Sequence, residues 1–404
     1  MINLCIFEGD VLNGLDTNIW SQLISMIIFM LFFYFYSRIM VQQILFKLER
    51  SAQLLERMSS RAEKYVTKKI SKKRDKKIIR SVKNFLEFFV ITPVNLDPYG
   101  IVKKFEHLVD LEKERFKYFV KQVAPHMKSE ERANLMMGLS GAISLYQLSK
   151  LLRHFVELIK KTKSVNLAML LQMQLPLIER IAKALMIGTE ALSNGWPVGD
   201  TIGAYVAADL IDKSEVKEVD DETVVCRKKY RKKNVIIVKA KGPGGRTGNP
   251  GKVVEKICKE EKIAKIITID AAMKLEGEKT GTIAEGVGVA IGGIGIEKSY
   301  IENIAVKKSI PLDTIIIKMS QEEAITPMKK PIISSLPKVM QNLNEVIDRT
   351  KENGKIIIVG VGNTSGVGNS KKDLIEAKKI IDKNIKKMKR RAKKKKRKWF
   401  KLPF

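Results

Sequence analysis

The pattern of apolar and polar positions begins with one long uncharged run. Residues 19–37, which read IWSQLISMIIFMLFFYFYS, contain no charged side chain. A bilayer core about 30 Å thick is spanned by about 20 apolar residues of α-helix. Acidic residues precede the run and basic residues follow it, so the positive-inside rule predicts an external N-terminus and a cytoplasmic body. We therefore expect a single-pass protein of the cell membrane, with a short extracytoplasmic segment, 1–18, before the transmembrane helix.

The following region, residues 38–190, shows the spacing of amphipathic helices. In the segment 101–123 apolar residues recur at intervals of three and four, while Lys and Glu occupy the other positions. Pro93 and Pro125 are expected to interrupt the helices. This pattern predicts a basic helical domain. The apolar positions of the segment are Ile101, Phe105, Leu108, Phe116, Phe119, Val120 and Val123.

The sequence pattern differs in residues 191–382, where glycine is frequent and short β-branched runs alternate with helical stretches. Continuously apolar strands are typical of sheets that are covered by helices on both faces. The pattern predicts an α/β layer with a mostly parallel sheet, and an α+β multidomain protein as a whole. The predicted strands are 234–240, 265–271, 313–319 and 355–362. The predicted helices are 205–212, 252–262, 337–351 and 371–386.

Charge adds a second theme. The net charge is +31, and residues 383–401 contain 13 Lys and Arg without a single acid. Such a block is typical of a solvated tail, which we assign to residues 383–404. Apolar residues, Trp399 and Phe400 among them, end the tail, and this favours anionic lipid headgroups as the partner of Lys386–Lys401. RNA is the alternative partner, since it would bind the same charges.

Cysteine and histidine usage narrows the chemistry. Cys5, Cys226 and Cys258 form no CxxC pair and no metal-ligand spacing, which is typical of a reduced intracellular body. The three histidines all lie in the helical region; they are His107, His126 and His154. The glycine-rich half therefore has no histidine for a metal site or a Ser-His-Asp triad, and its sequence names no cofactor.

Two aspartates mark the predicted strand ends, where ligands bind in open α/β sheets. Asp200 follows a Gly/Pro turn, NGWPVG, and precedes the helical stretch AYVAADLI. Asp270 ends the strand IITID. Each carboxylate could cap a local turn or belong to a catalytic or binding site. If the two carboxylates lie close together, their repulsion raises one pKa, so that the pair could act as general acid and base.

Glycine-rich loops provide the predicted ligand-binding residues. The loop KGPGGRTGNPGK joins a strand to a helix, and N–H groups at a helix N-terminus attract anions. A tight strand–helix connection is the alternative. The loop is not a Walker A motif, because Val253 stands where Ser or Thr would be needed. The turn VGVGN is another glycine-rich connection between a predicted strand and a predicted helix. We predict Gly199, Gly203, Gly242, Gly244, Gly245, Arg246, Lys252, Gly360, Gly362 and Asn363 as ligand-binding residues.

The combination NGWPVGDTIG and IITIDA resembles the layout of the hydrogenase-maturation endopeptidases and the spore proteases. Gly199, Asp200 and Gly203 match their Gly-Asp-x-x-Gly turn, and Asp270 with Ala271 matches their later Asp-Ala step. The resemblance implies a related fold and a role for the two acids in peptide-bond cleavage or metal binding. A metal held by Asp200, Asp270 and Glu276 or Glu285 is the hydrolytic variant that the sequence leaves open. Those endopeptidases use a histidine that this half of the chain lacks. The whole chain also resembles an archaeal membrane-protein family without an assigned function.

Three functions remain open at this stage. We expect most of all a protein that binds an anionic small molecule at the sheet edge. The second is a peptidase-like hydrolase that uses Asp200 and Asp270. The third is a scaffold that binds anionic lipid or RNA through its basic tail.

Overall fold

The computed structural model describes residues 10–71, 75–93, 100–212, 216–291, 295–351 and 353–399. Its helices are α1 (Asp10–Ile70), α2 (Lys76–Phe85), α3 (Ile101–Val123), α4 (Ser129–Thr162), α5 (Val165–Ser193), α6 (Ile202–Leu210), α7 (Pro250–Glu260), α8 (Ile296–Lys308), α9 (Gln321–Ile325), α10 (Lys330–Ile333), α11 (Leu336–Arg349) and α12 (Leu374–Trp399). Its strands are β1 (Val216–Glu218), β2 (Thr223–Tyr230), β3 (Lys233–Ala240), β4 (Ile263–Met273), β5 (Ile283–Val287), β6 (Leu312–Met319) and β7 (Lys355–Gly360). A short 3₁₀ turn, Gly199–Thr201, precedes α6.

The chain divides into two compact units. The first comprises Met1–Glu56 with Leu148–Glu179, and the second comprises Arg57–Gln147 with Arg180–Phe404. Within the first unit, α1 continues without a break through the predicted span 19–37. Among the described helices α1 alone is long and apolar enough to cross a membrane. Its apolar side chains from Trp20 to Tyr36 are exposed wherever they are described.

The remainder of the first unit is a small bundle of α1, α4 and α5. Val41, Ile44 and Leu48 of α1 are buried, and so are Leu152 and Val156 of α4. These positions recur at helical spacing, so their burial against one another stabilises the bundle.

In the second unit the seven strands form one mixed sheet in the order β1-β2-β3-β7-β4-β6-β5. The four central strands β3, β7, β4 and β6 are parallel to one another. These are the four strands that the sequence predicts. The edge strands pair antiparallel, so the prediction of a mostly parallel sheet holds only for the centre.

The central strands are buried on both faces because helices cover both. On one face Val235, Ile237 and Ile358 pack with α6, α11 and α12. On the other face Ile236 and Val238 pack with α7 and α8. The four predicted helices correspond to α6, α7, α11 and α12, with ends shifted by a few residues except at the C-terminal end of α12, which lies beyond the predicted residue 386. The sequence did not predict α8, β1, β2 or β5.

Two other predictions change in detail. Of the predicted stripe in α3, only Phe116 and Val120 are buried. The basic tail is helical as far as Trp399, because α12 continues through it after Ala377 and Ile381 have packed into the core. The apolar end of the tail, 400–404, lies outside the described residues.

One lysine lies inside this core. Lys239 of β3 is fully buried, and its ammonium donates hydrogen bonds to the Ala240 carbonyl (2.7 Å) and to Asn369 Oδ1 (3.1 Å). Burial lowers the pKa of Lys239 to about 7, against the opposing effect of Asp373. The charged form is disfavoured because the core replaces its water of hydration.

This burial predicts a pH dependence of stability. Between pH 7 and pH 10.5 the unfolded state binds a proton at Lys239 that the folded state has lost, so the free energy of unfolding rises with pH. The slope is at most about 1.4 kcal/mol per pH unit. In Lys239→Met this contribution disappears. Denaturant titrations of the full chain in detergent, over this pH range, should show the wild type gaining stability relative to the variant.

The control is Lys233→Met at the partly exposed start of the same strand. Its stability should follow that of the wild type across the same range. A constant difference between the wild type and Lys239→Met at every pH would contradict the account of Lys239.

Candidate acidic cavity at the strand ends

Close backbone contacts position the turn that carries Asp200. A Cβ on Gly203 would lie 2.3 Å from the carbonyl oxygens of both Ile269 and Val361, so only glycine lets α6 start against β4 at Ile269 and against the end of β7. Gly362 has a φ of +110°, and a Cβ there would lie 2.1 Å from the Asp200 carbonyl. These two glycines act by permitting close packing.

Asp200 does not cap α6. Its Oδ2 instead accepts the backbone N–H of Asn363 at 2.8 Å, from the loop that follows β7. The side chain is only partly accessible. Burial raises the pKa of Asp200, and the Asn363 hydrogen bond opposes this effect without cancelling it. Asp200 is therefore a carboxyl whose protonated form the fold favours.

Asp270 lies within β4 and not at its end, because the strand continues to Met273. Its neighbour β7 stops at Gly360, opposite Ile269, so Asp270 stands just beyond the end of β7. The side chain is only 4% exposed, and its Oδ1 accepts the N–H of Ala271 at 2.6 Å.

Asp200 and Asp270 line one cavity of about 380 Å³. We call it the acidic cavity, because five carboxylates and two ammonium groups line it. The apolar part of the lining includes Val109, Ile291 and Ile296. A mostly apolar pocket with a few convergent polar groups is the usual form of a small-molecule site. The charged residues are Glu106, Asp110, Asp200, Asp270, Glu297, Lys113 and Lys252.

The glycine-rich loop holds an anion, but that anion belongs to the protein. The N–H of Gly244 donates to Oε2 of Glu130 at 2.6 Å, and Arg246 forms an ion pair with the same carboxylate. The N–H groups of Gly245 and Gly242 donate to the side-chain oxygens of Asn134 and Asn369. The sequence predicted that the loop offers these donors to a ligand. In the structure they are occupied by side chains of the protein.

The N-terminus of α7 is occupied in the same way. The Glu297 carboxylate, at the start of α8, accepts the N–H of Gly251 at 2.5 Å. Burial raises the pKa of Glu297, and the N–H groups of Gly251 and Lys252 partly offset that effect. The Lys252 ammonium pairs with Glu106 at 2.6 Å.

The remaining predicted ligand residues have structural contacts. A Cβ on Gly360 would lie 2.4 Å from that of Ala207, and a Cβ on Gly199 would lie 2.2 Å from the Glu323 carbonyl. The Asn363 side chain accepts the Ser365 N–H through Oδ1, while its buried Nδ2 has no partner among the described residues. Of the ten predicted ligand residues, the cavity lining includes Lys252 and Gly362.

A metal site does not form among the described residues, since no three His, Cys, Asp or Glu side chains there converge on one point. Glu276 pairs with Arg180 at 3.7 Å, and Glu285 pairs with Arg349. Neither glutamate lines the acidic cavity. Glu106, Asp110 and Glu297 also line the cavity, and the sequence did not predict them. Only Glu297 has a recognisable sequence signal, because it is an acid in the first turn of a helix that follows a glycine run.

The raised pKa of Asp200 predicts that replacing its charge stabilises the fold. At pH values above 3.8 the unfolded state releases a proton that the folded state retains, so the stability of the wild type falls as the pH rises toward the folded pKa. Asp200→Asn does not ionise and keeps an oxygen to accept the Asn363 N–H. Its free energy of unfolding should exceed that of the wild type above pH 3.8, by a margin that grows with pH.

The matched control is Asp212→Asn, at an exposed carboxylate that pairs with Lys228. Removing such a surface pair changes stability by about 1 kcal/mol or less. Denaturant titrations of both variants in detergent compare the two sites. A less stable Asp200→Asn at neutral pH would contradict the assignment.

Comparison with known families gives two matches. The model described as "Protein of unknown function (DUF1512) N-terminal domain" matches residues 22–195, and the one described as "Domain of unknown function (DUF1512) C-terminal" matches residues 198–368. No curated protein and no solved structure matches the chain. The resemblance to the endopeptidases and spore proteases therefore stays a prediction.

Proposed function

Since the chain belongs to the DUF1512 family, whose description assigns no function, we propose a function from the site itself: the acidic cavity binds a small, positively charged molecule. The observation that supports this proposal is the environment of Asp200. Burial raises the pKa of Asp200, and its carboxylate forms no ion pair among the described residues. A largely desolvated carboxyl of this kind is costly to ionise. A ligand ammonium group beside it would restore the ionised form and would gain a charge-assisted hydrogen bond.

The other charges of the cavity favour the same ligand class. Lys252 is already neutralised by Glu106, and Asp110 lies 3.8 Å from the same ammonium. Lys113 donates to Asn249 Oδ1 at 3.3 Å. The anionic ligand expected from the sequence depended on N–H groups that Glu130 and Glu297 occupy. An anion in the cavity would face an excess of carboxylates, and this repulsion would weaken its binding.

We test the binding proposal with 1,4-diaminobutane, and with succinate as its anionic counterpart of similar length. Calorimetry on the full chain in detergent should show saturable heat for the diamine alone. At a pH just above 3.8, where the raised pKa favours protonated Asp200, binding should ionise it and release protons, so the measured enthalpy should differ between buffers of different ionisation enthalpy. Asp200→Asn and Asp270→Asn should each weaken the affinity at least about tenfold, as expected for a buried charge pair.

Asp212→Asn again serves as the control and should bind like the wild type. Saturable binding of succinate without binding of the diamine would reverse the assigned charge of the ligand. If neither probe binds at concentrations below those at which exposed carboxylates bind amines, the proposal fails.

A peptidase-like hydrolase is the second candidate, and the presence of both Asp200 and Asp270 in the lining of one cavity favours it. Asp200 with its raised pKa would donate a proton to the leaving amine, and Asp270 would act as general base toward water. The partly apolar lining would accommodate a peptide side chain.

Incubation of the full chain with an unfolded protein substrate, followed by mass spectrometry, tests this second function. Cleavage by the wild type should be lost in both Asp200→Asn and Asp270→Asn and retained in Asp212→Asn. Cleavage that persists in both Asn variants would exclude the pair as its source.

We also propose that this binding domain is held at the cell membrane. The exposed apolar part of α1 would span the bilayer with the N-terminus outside, as the charges on its two sides favour. The basic residues of α12, including Lys386 and Arg390, would contact anionic headgroups on the cytoplasmic side.

A further inference from the structure

Within the first unit, the side chains of α1 change from exposed to buried over a short distance along the helix. The described apolar side chains between Trp20 and Tyr36 are exposed, whereas Val41 and Ile44 are each only 6% exposed. Tyr36 and Val41 are five residues apart, a rise of about 8 Å along an α-helix. The bundle therefore starts within about one and a half turns of the uncharged run.

The end of α4 and the start of α5 form a hairpin that contacts α1 just beyond these two buried positions. Arg153 pairs with Glu56 at 2.7 Å, and Lys160 pairs with Glu49 at 2.8 Å. Moving along α4 toward its end thus leads along α1 toward the uncharged run. Lys160 and then Arg153 hold the pKa of Glu49 at about 2, so this attachment persists at any physiological pH.

The second arm of the hairpin runs back along the same helix. The Glu179 carboxylate accepts the hydroxyl hydrogen of Ser51 at 2.7 Å, fourteen residues after α5 begins at Val165. The turn between the arms, where Lys163 has a φ of 53°, is consequently the part of the hairpin that lies closest to the uncharged run.

The side chains at this turn are basic and apolar, and they are exposed. Lys161 and Lys163 have neither an ion pair nor a hydrogen bond from their side chains among the described residues. Met169 and Leu170, in the first turns of α5, are 47% and 62% exposed. Lysines beside exposed apolar residues are typical of segments that lie at a membrane surface.

We propose that the segment Lys160–Leu170, the hairpin tip, rests on the headgroup layer of the bilayer that α1 crosses. Lys161 and Lys163 contact anionic phosphate groups, and Met169 and Leu170 enter the interface. Each lysine near such a surface contributes about 1 kcal/mol, which corresponds to roughly fivefold in occupancy of the docked state. This inference rests on the proposal that residues 19–37 span the membrane.

Two features of the hairpin tip select the bilayer as its partner. The tip is the part of the hairpin nearest the uncharged run of α1, and α1 is the only described helix that is long and apolar enough to cross a membrane. The unpaired charge of the tip is positive, as is that of Arg38 and Lys47 next to the run. Met169 and Leu170 are two exposed apolar residues, whereas a stable protein interface takes about 20–30 residues on each side.

Spin labelling of the full chain in lipid nanodiscs tests the proposal. Cys226 and Cys258 are buried, so a Cys5→Ser background leaves an introduced cysteine as the reactive one. Nitroxides are placed at Leu170→Cys and, as the exposed reference, at Val306→Cys, a site that is 80% exposed. Collision rates with oxygen and with a water-soluble nickel chelate report whether each label is in lipid or in water.

In nanodiscs that contain phosphatidylglycerol, the Leu170 label should be several-fold more accessible to oxygen, relative to nickel, than the Val306 label. Adding Lys161→Gln and Lys163→Gln, or using phosphatidylcholine alone, should remove most of that difference. The charge-matched changes Lys217→Gln and Lys229→Gln, at exposed lysines of β1 and β2, should not.

Equal nickel accessibility at Leu170 and Val306 would overturn the proposal. So would a short distance between Leu170 labels on two chains, because it would show a second copy at the tip. A label at Ile27→Cys separates this outcome from failure of the anchor. Oxygen access at Ile27 without oxygen access at Leu170 refutes the tip alone, whereas nickel access at both refutes the membrane span on which the inference rests.

Discussion

The chemistry of the second unit depends on one steric constraint, the absence of a side chain at Gly203. Because α6 can start within contact distance of the carbonyls of Ile269 and Val361, the preceding turn places Asp200 beside β4 and the end of β7. Gly360 and Gly362 permit the same approach from the strand side. Without this packing, Asp200 would be an ordinary solvated turn residue, and its pKa would not be raised.

A second feature of the fold is that carboxylates of the protein occupy the backbone N–H groups that could bind an anionic ligand. Exposed N–H groups at a glycine loop and at a helix N-terminus attract a carboxylate whether it comes from a ligand or from the chain. Here the chain supplies both, through Glu130 at the loop and Glu297 at α7. Asp200 differs from Glu297, because burial raises the pKa of Asp200 and only the Asn363 N–H opposes that effect.

The sequence predicts the central part of this arrangement well. The four β-branched runs correspond to β3, β4, β6 and β7 because fully buried strands need continuous apolar residues. The sequence also predicts that Asp200 and Asp270 lie at one end of the sheet. The edge strand β2 escapes prediction because half of it, Arg227 to Tyr230, is polar and partly exposed. The occupants of the glycine loop could not be predicted, since Glu130 is separated from Gly244 by 114 residues and no local pattern links them.

The central claim is that the fold keeps Asp200 protonated in preparation for a positively charged partner. Infrared difference spectra between the wild type and Asp200→Asn, recorded at a pH just above 3.8, measure this directly. Our account predicts a carbonyl stretch of a protonated carboxylic acid that is present in the wild type, absent in the variant, and replaced by the carboxylate bands when 1,4-diaminobutane is added. A spectrum in which Asp200 is already ionised without the diamine would contradict it.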